Sequence, residues 1–206
     1  MLSADDPLRW QPDRILIAGV TGSGKTTLAR RIEQLWDVRH VEIDALFHGP
    51  GWTPRPTFLD DVRAFAAEDR WVTEWQYTSK GTNTILAPRA QLVLWLDYPY
   101  RVVRSRLVRR TLGRGILRTP LWNGNVEKPI WRMLAGDPEE NILRWQTETL
   151  HTWTERMPQV VEDFPHLTIV RLRHPRETER WLQAQSQRPD APGASTAPPK
   201  RRSRDR

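Results

Sequence analysis

The stretch "RILIAGVTGSGKTTLARRI", residues 14–32, decides the fold of this chain. Its first five residues form an apolar run of the kind that is buried in a parallel sheet. A glycine-rich turn follows, and the next segment, 25–36, places Leu28, Ile32 and Leu35 at helical spacing. The stretch therefore predicts a buried strand, a tight turn and an amphipathic helix in direct succession.

The turn matches the pattern G-x-x-x-x-G-K-[ST], the Walker A loop. Its glycines let backbone N–H groups converge on phosphate oxygens, and the helix that follows adds its positive end. Lys25 is expected to hold the β- and γ-phosphates of ATP, and the Thr26 hydroxyl to ligate Mg²⁺. The expected ATP-binding residues are Gly19, Val20, Thr21, Gly22, Ser23, Gly24, Lys25, Thr26 and Thr27.

Strand-like and helix-like segments alternate along the rest of the chain. The strands are predicted at 14–18, 39–43, 71–74, 91–99 and 167–172; the helices are predicted at 25–36, 57–68 with Thr57 as its cap, 100–112, 138–156 and 175–185. This alternation predicts an α/β fold of three layers, the P-loop NTPase fold, in which a five-stranded parallel sheet carries helices on both faces.

We expect three parts: an N-terminal extension, 1–13; a kinase-like domain, 14–186, with a short lid at about 113–129; and a disordered basic tail, 187–206. The net charge is +7, of which the tail supplies +4, so the rest carries an ordinary +3. Nucleic acid is an open partner for the tail, but its acids and its lack of aromatic residues do not favour it.

Several protein classes are excluded by composition. The chain has no cysteine, so disulfides, thiolate metal sites and a cysteine nucleophile are excluded. No stretch approaches the roughly 20 apolar residues of a membrane span, and the first residues lack the pattern of a signal peptide. We expect a cytoplasmic protein, and the oligomeric state is left open.

The segment "IDALFHGPGW", residues 43–52, resembles the hallmark of bacterial adenylate-kinase-like P-loop proteins, some of which are named DNA topology modulation proteins. The resemblance covers about residues 14–182 and rests on the Walker loop, Asp44-Ala45, Pro50-Gly51-Trp52, "WVTEWQY" at 71–77 and the arginines spaced after Pro99. It implies the nucleotide-kinase fold, with a central sheet, acceptor-side helices and a lid.

The resemblance also implies roles on the acceptor side. Asp44 would orient an acceptor hydroxyl, accept its proton or act through Mg²⁺; the alternative is a turn aspartate that caps the next segment. Gln76 and Tyr77 would face the acceptor, and Trp52 is placed to stack on an aromatic or sugar acceptor. Glu74 stands where the family has the aspartate that holds Mg²⁺ through water.

The segment departs from the family next to this acid, because Trp75 replaces a glycine that lets the substrate approach the backbone.

Two arginines of the basic helix match a second family pattern. Arg106 and Arg110 follow Pro99 by seven and eleven residues, offsets at which adenylate kinases place arginines on the adenine ring and the phosphates. Four residues make about one helical turn, so the two guanidinium groups share a face. The competing candidates are Arg101, Arg104 and Arg109.

The leading hypothesis is an ATP- and Mg²⁺-dependent kinase that acts on a small molecule, such as a nucleotide, a nucleoside or a small alcohol. Its catalytic residues would be Lys25, Asp44, Arg106 and Arg110. A phosphate-bearing acceptor needs arginines on the acceptor side, where Arg55 and Arg63 are the obvious ones. The alternatives are a nucleotide-dependent, nucleic-acid-associated regulatory protein and a degenerate kinase that binds ATP without turnover.

Overall fold

The structure, a computed structural model, describes residues 1–117, 122–125 and 151–187. Its strands are β1 (Arg14–Gly19), β2 (Arg39–Val41), β3 (Trp71–Glu74), β4 (Leu92–Leu96) and β5 (Thr168–Leu172). Its helices are α1 (Lys25–Trp36), α2 (Ile43–Phe47), α3 (Phe58–Ala66), α4 (Thr82–Leu86), α5 (Tyr100–Leu117), α6 (Thr152–Asp163) and α7 (Pro175–Ser186). Single 3-10 turns lie at Pro50–Trp52, Thr78–Lys80 and Trp122–Gly124.

The five strands form one parallel sheet in the order β2-β3-β1-β4-β5, which confirms the predicted α/β fold. β1 lies at the centre, paired with β3 on one side and β4 on the other. In such a sheet, β2 and β3 lie on one side of β1, and β4 and β5 lie on the other. Ligands bind at the carboxyl ends of the strands, at the point where the chain changes sides. The Walker loop leaves β1 there.

Helices cover both faces of the sheet, as predicted. Leu16 and Ala18 of β1 pack with α2, α3, α4 and α6 on one face. Ile15 and Ile17 point the other way and pack with α1, α5 and α7. This alternation follows from the two-residue period of a strand, so β1 reads as continuously apolar because both of its sides are buried. Among the described residues, no helix has the length and apolar content needed to cross a membrane.

The N-terminal extension belongs to the packed body. Leu2 makes a parallel bridge with Val170 of β5. The side chains of Ala4 and Leu8 are buried on the sheet face that carries α1, α5 and α7, which we call the second core; the opposite face is the first core. The extension therefore continues the sheet edge, although its sequence has no apolar run.

Strand β2 is shorter than predicted, which changes the placement of Asp44. The prediction extended the strand to Ile43, but β2 ends at Val41 and α2 begins at Ile43. The Ile43 amide leaves the ladder and donates to Glu74 Oε2 at 3.4 Å. Asp44 therefore lies in the first turn of α2 rather than directly after a strand, although still at the carboxyl edge of the sheet.

Three helices also differ from their predicted form. Thr57 precedes α3 as predicted, but its hydroxyl donates to Asp61 Oδ2 instead of capping a backbone N–H. Helix α5 continues to Leu117, so residues 113–117, predicted as the start of the lid, are helical. Helix α6 runs to Asp163, past the predicted end at 156, because its apolar residues pack in the core on both sides of Pro158.

The remaining predicted segments lie outside the described residues: the lid at 118–121 and 126–129, the helix predicted from 138 up to residue 150, and the tail from 188.

Candidate active site

The Walker loop has the backbone that the motif predicts. Gly19 and Gly24 have φ of +152° and +98°, which only glycine adopts without strain. A Cβ atom at Gly19 would lie 2.7 Å from Ser23 Oγ, and one at Gly24 would lie 3.2 Å from Arg106 Nη1. Helix α1 begins at Lys25, so the N–H groups of its first turn have no partner within the helix. The loop therefore fits the phosphates of a nucleotide.

Lys25 lies inside this loop. Its Nζ donates to the carbonyl oxygens of Gly19 at 2.9 Å and Val20 at 3.3 Å, and the side chain is buried. Burial lowers the pKa of Lys25 to about 8, and the positive charge of Arg110 lowers it too; the carboxylates of Asp44 and Glu74 oppose the change. The predicted phosphate lysine and both predicted acids lie at the carboxyl edge of the sheet, where β1, β2 and β3 end.

Glu74 and Thr26 meet beside Lys25. Burial alone would raise the pKa of Glu74, but the hydrogen bond and charge of His40 and a hydrogen bond from the Thr26 hydroxyl bring this pKa below its ordinary value. His40 Nε2 lies 3.1 Å from Glu74 Oε1, and both side chains are buried. Glu74 is therefore an oriented carboxylate next to the threonine hydroxyl.

This donor set fits Mg²⁺, which prefers oxygen ligands and keeps several waters or phosphate oxygens. The described residues contain no group of three or more metal-ligating side chains, so Thr26 and Glu74 would share the ion with the nucleotide.

Asp44 lies at the centre of an acceptor-side hydrogen-bond network. Its Oδ1 accepts from Gln76 Nε2 at 2.9 Å and from the Tyr77 hydroxyl at 2.6 Å. Burial and the Asp44 carboxylate raise the pKa of Tyr77, so the phenol remains a donor. Tyr77 has φ of +55°, and its ring stacks on Phe47 at 4.2 Å between centroids. The three predicted acceptor residues therefore form one connected group.

Trp52, the fourth predicted acceptor residue, joins this group through His48. The Tyr77 hydroxyl lies 3.1 Å from His48 Nε2, and the His48 ring meets the Trp52 ring edge-on at 5.1 Å. Trp52 is half-buried and has φ of +62°, an uncommon conformation for a large side chain. His48 connects the phenol to the indole, and sequence reasoning missed it.

The Trp52 turn is held from the lid side of the chain. Asn125 is buried, and its Nδ2 donates to the carbonyl oxygen of Gly49 at 2.9 Å while its Oδ1 accepts from the Trp52 amide at 3.1 Å. Asn123 Nδ2 donates to the carbonyl oxygen of His48. Nothing in the sequence indicates that Asn123 and Asn125, in the predicted lid, contact the residues 48–52.

Trp75 does not fill the acceptor site. Its side chain is buried in the first core, where its ring packs against Trp153 of α6 at 5.1 Å between centroids. The tryptophan that stands where the resembled family has a glycine is therefore accommodated in the core.

Arg106 and Arg110 lie beside the Walker loop. Arg106 Nη1 donates to the carbonyl oxygen of Ser23 at 3.1 Å, and its guanidinium lies over the Tyr98 ring at 5.4 Å. Arg110 is half-buried and close enough to Lys25 to affect its pKa. Arg106 is exposed, as are the competing Arg101 and Arg109, so its contact with Ser23 distinguishes it rather than burial; Arg104 lies over the ring of Tyr100 on its own helix.

The two acceptor-side arginines named from the sequence are paired with acids. Arg55 Nη2 lies 2.9 Å from Asp61 Oδ2, and Arg63 Nη1 lies 2.7 Å from Asp60 Oδ1. Arg156 of α6 is a further acceptor-side arginine that sequence reasoning missed, and its Nη1 donates to the Thr78 hydroxyl.

The chain matches no protein-family model and no curated protein sequence, and its likeness is to solved structures. The shikimate kinase of Acinetobacter baumannii, solved in complex with shikimate, is 16% identical with a TM-score of 0.50, over 85% of this chain and 91% of that chain. A gluconokinase of Sinorhizobium meliloti is 18% identical with a TM-score of 0.48, over 87% of this chain and 94% of that chain. The first likeness, together with the sheet and the Walker loop, establishes the fold of P-loop kinases.

Proposed function

We propose that this protein is an ATP- and Mg²⁺-dependent phosphotransferase that acts on a small molecule. The observation that carries the proposal is the adjacency of two strand ends: Gln76 and Tyr77, which donate to Asp44, follow β3, and β3 pairs with β1, from which the Walker loop leaves. A phosphate donor site and a hydroxyl acceptor site thus adjoin, as direct transfer requires.

In the proposed reaction an acceptor hydroxyl oxygen forms a bond to the γ-phosphorus of ATP, and the bond from that phosphorus to the ADP oxygen breaks. Asp44 takes the hydroxyl proton. Gln76 and Tyr77 donate to Asp44 Oδ1 and so fix the carboxylate in place for this proton. Trp52 supplies a flat apolar surface for the acceptor.

On the donor side, Lys25 and the N–H groups of the Walker loop hold the phosphates, and Arg106 and Arg110 offset the negative charge that develops during transfer. Thr26 and Glu74 would hold Mg²⁺, which would add positive charge on the phosphate oxygens.

A nucleotide, a nucleoside and a small alcohol all carry a hydroxyl or phosphate oxygen that could receive the phosphoryl group. Arg55 and Arg63, the two acceptor-side arginines named from the sequence, each pair with an aspartate, so neither supplies an unbalanced charge to a phosphate-bearing acceptor. A cytoplasmic location and the division into extension, domain and tail stay predictions.

The test is transfer of radiolabel from [γ-³²P]ATP to a mixed set of nucleosides, nucleoside monophosphates and small alcohols. Lys25→Ala should abolish ATP binding, whereas Asp44→Asn should retain ATP binding and lower the transfer rate by about 100-fold or more. Arg180→Gln, which removes an exposed arginine of α7 that pairs with Asp5, is the control and should act like the wild type.

ATP binding without transfer to any acceptor would refute the proposal and favour the alternative, a nucleotide-binding regulatory protein without turnover. Failure to bind ATP would refute both the kinase hypothesis and the regulatory alternative.

A further inference from the structure

Arg156 lies against the segment that follows Gln76 and Tyr77. It lies one helical turn after Trp153 on α6, and its guanidinium sits over the Trp153 ring at 5.8 Å. Trp153 packs on Trp75, directly before Gln76 and Tyr77 in the chain. Arg156 Nη1 donates to the hydroxyl of Thr78, the residue after Tyr77. Arg156 therefore borders the loop that carries the acceptor network.

The charge of Arg156 is not balanced by an acid within the part of the chain that the structure describes. Its contacts there are the Thr78 hydroxyl and the Trp153 ring, both of them uncharged. The side chain is half-buried, and burial lowers its pKa. Arg55, Arg63 and Arg171, by contrast, each pair with an aspartate.

A half-buried guanidinium with donors to spare is suited to bind an anion, because burial makes an uncompensated charge costly and arginine presents a planar fork of donors. A single arginine suits a single negative charge. A phosphate dianion usually needs more cations than Arg156 alone supplies.

We propose that Arg156 binds a carboxylate of the acceptor, so that the substrate class is a hydroxy acid: a small molecule with a hydroxyl that receives the phosphoryl group and a carboxylate that Arg156 holds. This inference rests on the proposed kinase function and specifies the acceptor of that same site. Asp44 takes the proton of the hydroxyl, and Arg156 binds the carboxylate at the other end of the molecule.

The experiment uses the full chain with Mg²⁺ and ATP and matched acceptors that differ in charge. One set is glycerate, glycerol and glycerol 3-phosphate; the other is gluconate, sorbitol and gluconate 6-phosphate. Acceptor-stimulated ADP release gives kcat and KM for each. We expect an acid in at least one set to exceed its uncharged and phosphorylated counterparts in kcat/KM by about tenfold or more.

Variants test the residue itself. Arg156→Gln should raise the KM for the acid by about tenfold or more while the KM for ATP and the activity on the uncharged counterpart stay unchanged. Arg156→Lys should recover part of the loss. Arg180→Gln removes an exposed arginine of α7 that is already paired with Asp5 and should change nothing. Circular dichroism and ATP affinity show whether Arg156→Gln is folded.

Preference for the uncharged or the phosphorylated acceptors, or equal effects of Arg156→Gln on acid and neutral acceptors, would overturn the proposal while leaving the kinase function intact. ATP binding without turnover of any acceptor would instead refute the kinase function, and the hydroxy-acid inference would fall with it.

Discussion

ATP binding should weaken steeply at alkaline pH, because burial sets the pKa of Lys25 at about 8 instead of 10.5. The phosphates of ATP favour the charged lysine, so binding raises this pKa and takes up a proton. The affinity for ATP is therefore highest below pH 8, and it falls as the pH rises through 8. Each further pH unit lowers the charged fraction about tenfold, so affinity at pH 10 should be about 100-fold below that at pH 7.

The assay is calorimetric titration with ATP and Mg²⁺ between pH 7.5 and 10, where the phosphates are already ionised. Buffers of different ionisation enthalpy report the proton uptake. Lys25→Arg keeps a charge at every pH and should give a flat profile. Lys80→Gln, at an exposed lysine, is the control and should keep the wild-type slope. A flat wild-type profile, or an unchanged slope in Lys25→Arg, would refute the reasoning.

The same pKa predicts an effect on folding with the opposite pH dependence. The unfolded chain holds the Lys25 proton up to about pH 10.5 and the folded chain only up to about 8, so charged Lys25 destabilises the fold below pH 8. The difference of about 2.5 in pKa corresponds to about 3 kcal/mol. Lys25→Met should therefore raise the free energy of unfolding at pH 7 by up to this amount and have little effect near pH 10.5, as urea denaturation would show.

Three further substitutions test single contacts. Gly19→Ala places a Cβ atom 2.7 Å from Ser23 Oγ at a φ of +152°, so it should abolish ATP binding in a chain that still folds, measured by the same titration. Asn125→Ala removes the acceptor of the Trp52 amide, so exchange of that amide proton should accelerate about tenfold; unchanged exchange by NMR would contradict the tether. Trp181→Ala empties a fully buried site in the second core and should cost about 3–5 kcal/mol of unfolding free energy in urea, with a cost below 1 kcal/mol counting against the packing described.

The donor half of the site could be predicted because its signal is contiguous. The strand, turn and first part of the helix that make up the Walker motif all lie within 14–32, and local sequence alone specifies their geometry. The alternation of strand-like and helix-like segments predicted the parallel sheet, which the structure confirms. Where local patterns compete with distant contacts, prediction failed: Ile43 continues an apolar strand pattern, but its amide turns to Glu74, 31 residues away.

The acceptor half was predictable only through family resemblance, and incompletely. The Asp44–Tyr77 contact joins residues 33 apart, and the Asn125–Gly49 and Arg156–Thr78 contacts join residues 76 and 78 apart. No periodicity records such pairings. Trp75 shows the same limit, because its direction into the core depends on Trp153, a partner on a distant helix.

The N-terminal extension has a consequence for how this protein behaves at high concentration. An open sheet edge offers unpaired backbone groups to a second chain, which invites edge-to-edge aggregation. Leu2 occupies such groups on β5: its amide donates to the carbonyl oxygen of Ile169 at 2.7 Å, and its carbonyl oxygen accepts from the Arg171 amide at 2.8 Å. At the opposite edge β2 is three residues long and carries the charged Arg39, which pairs with Glu68. The extension thereby leaves fewer unpaired backbone groups on the β5 edge for another strand to pair with.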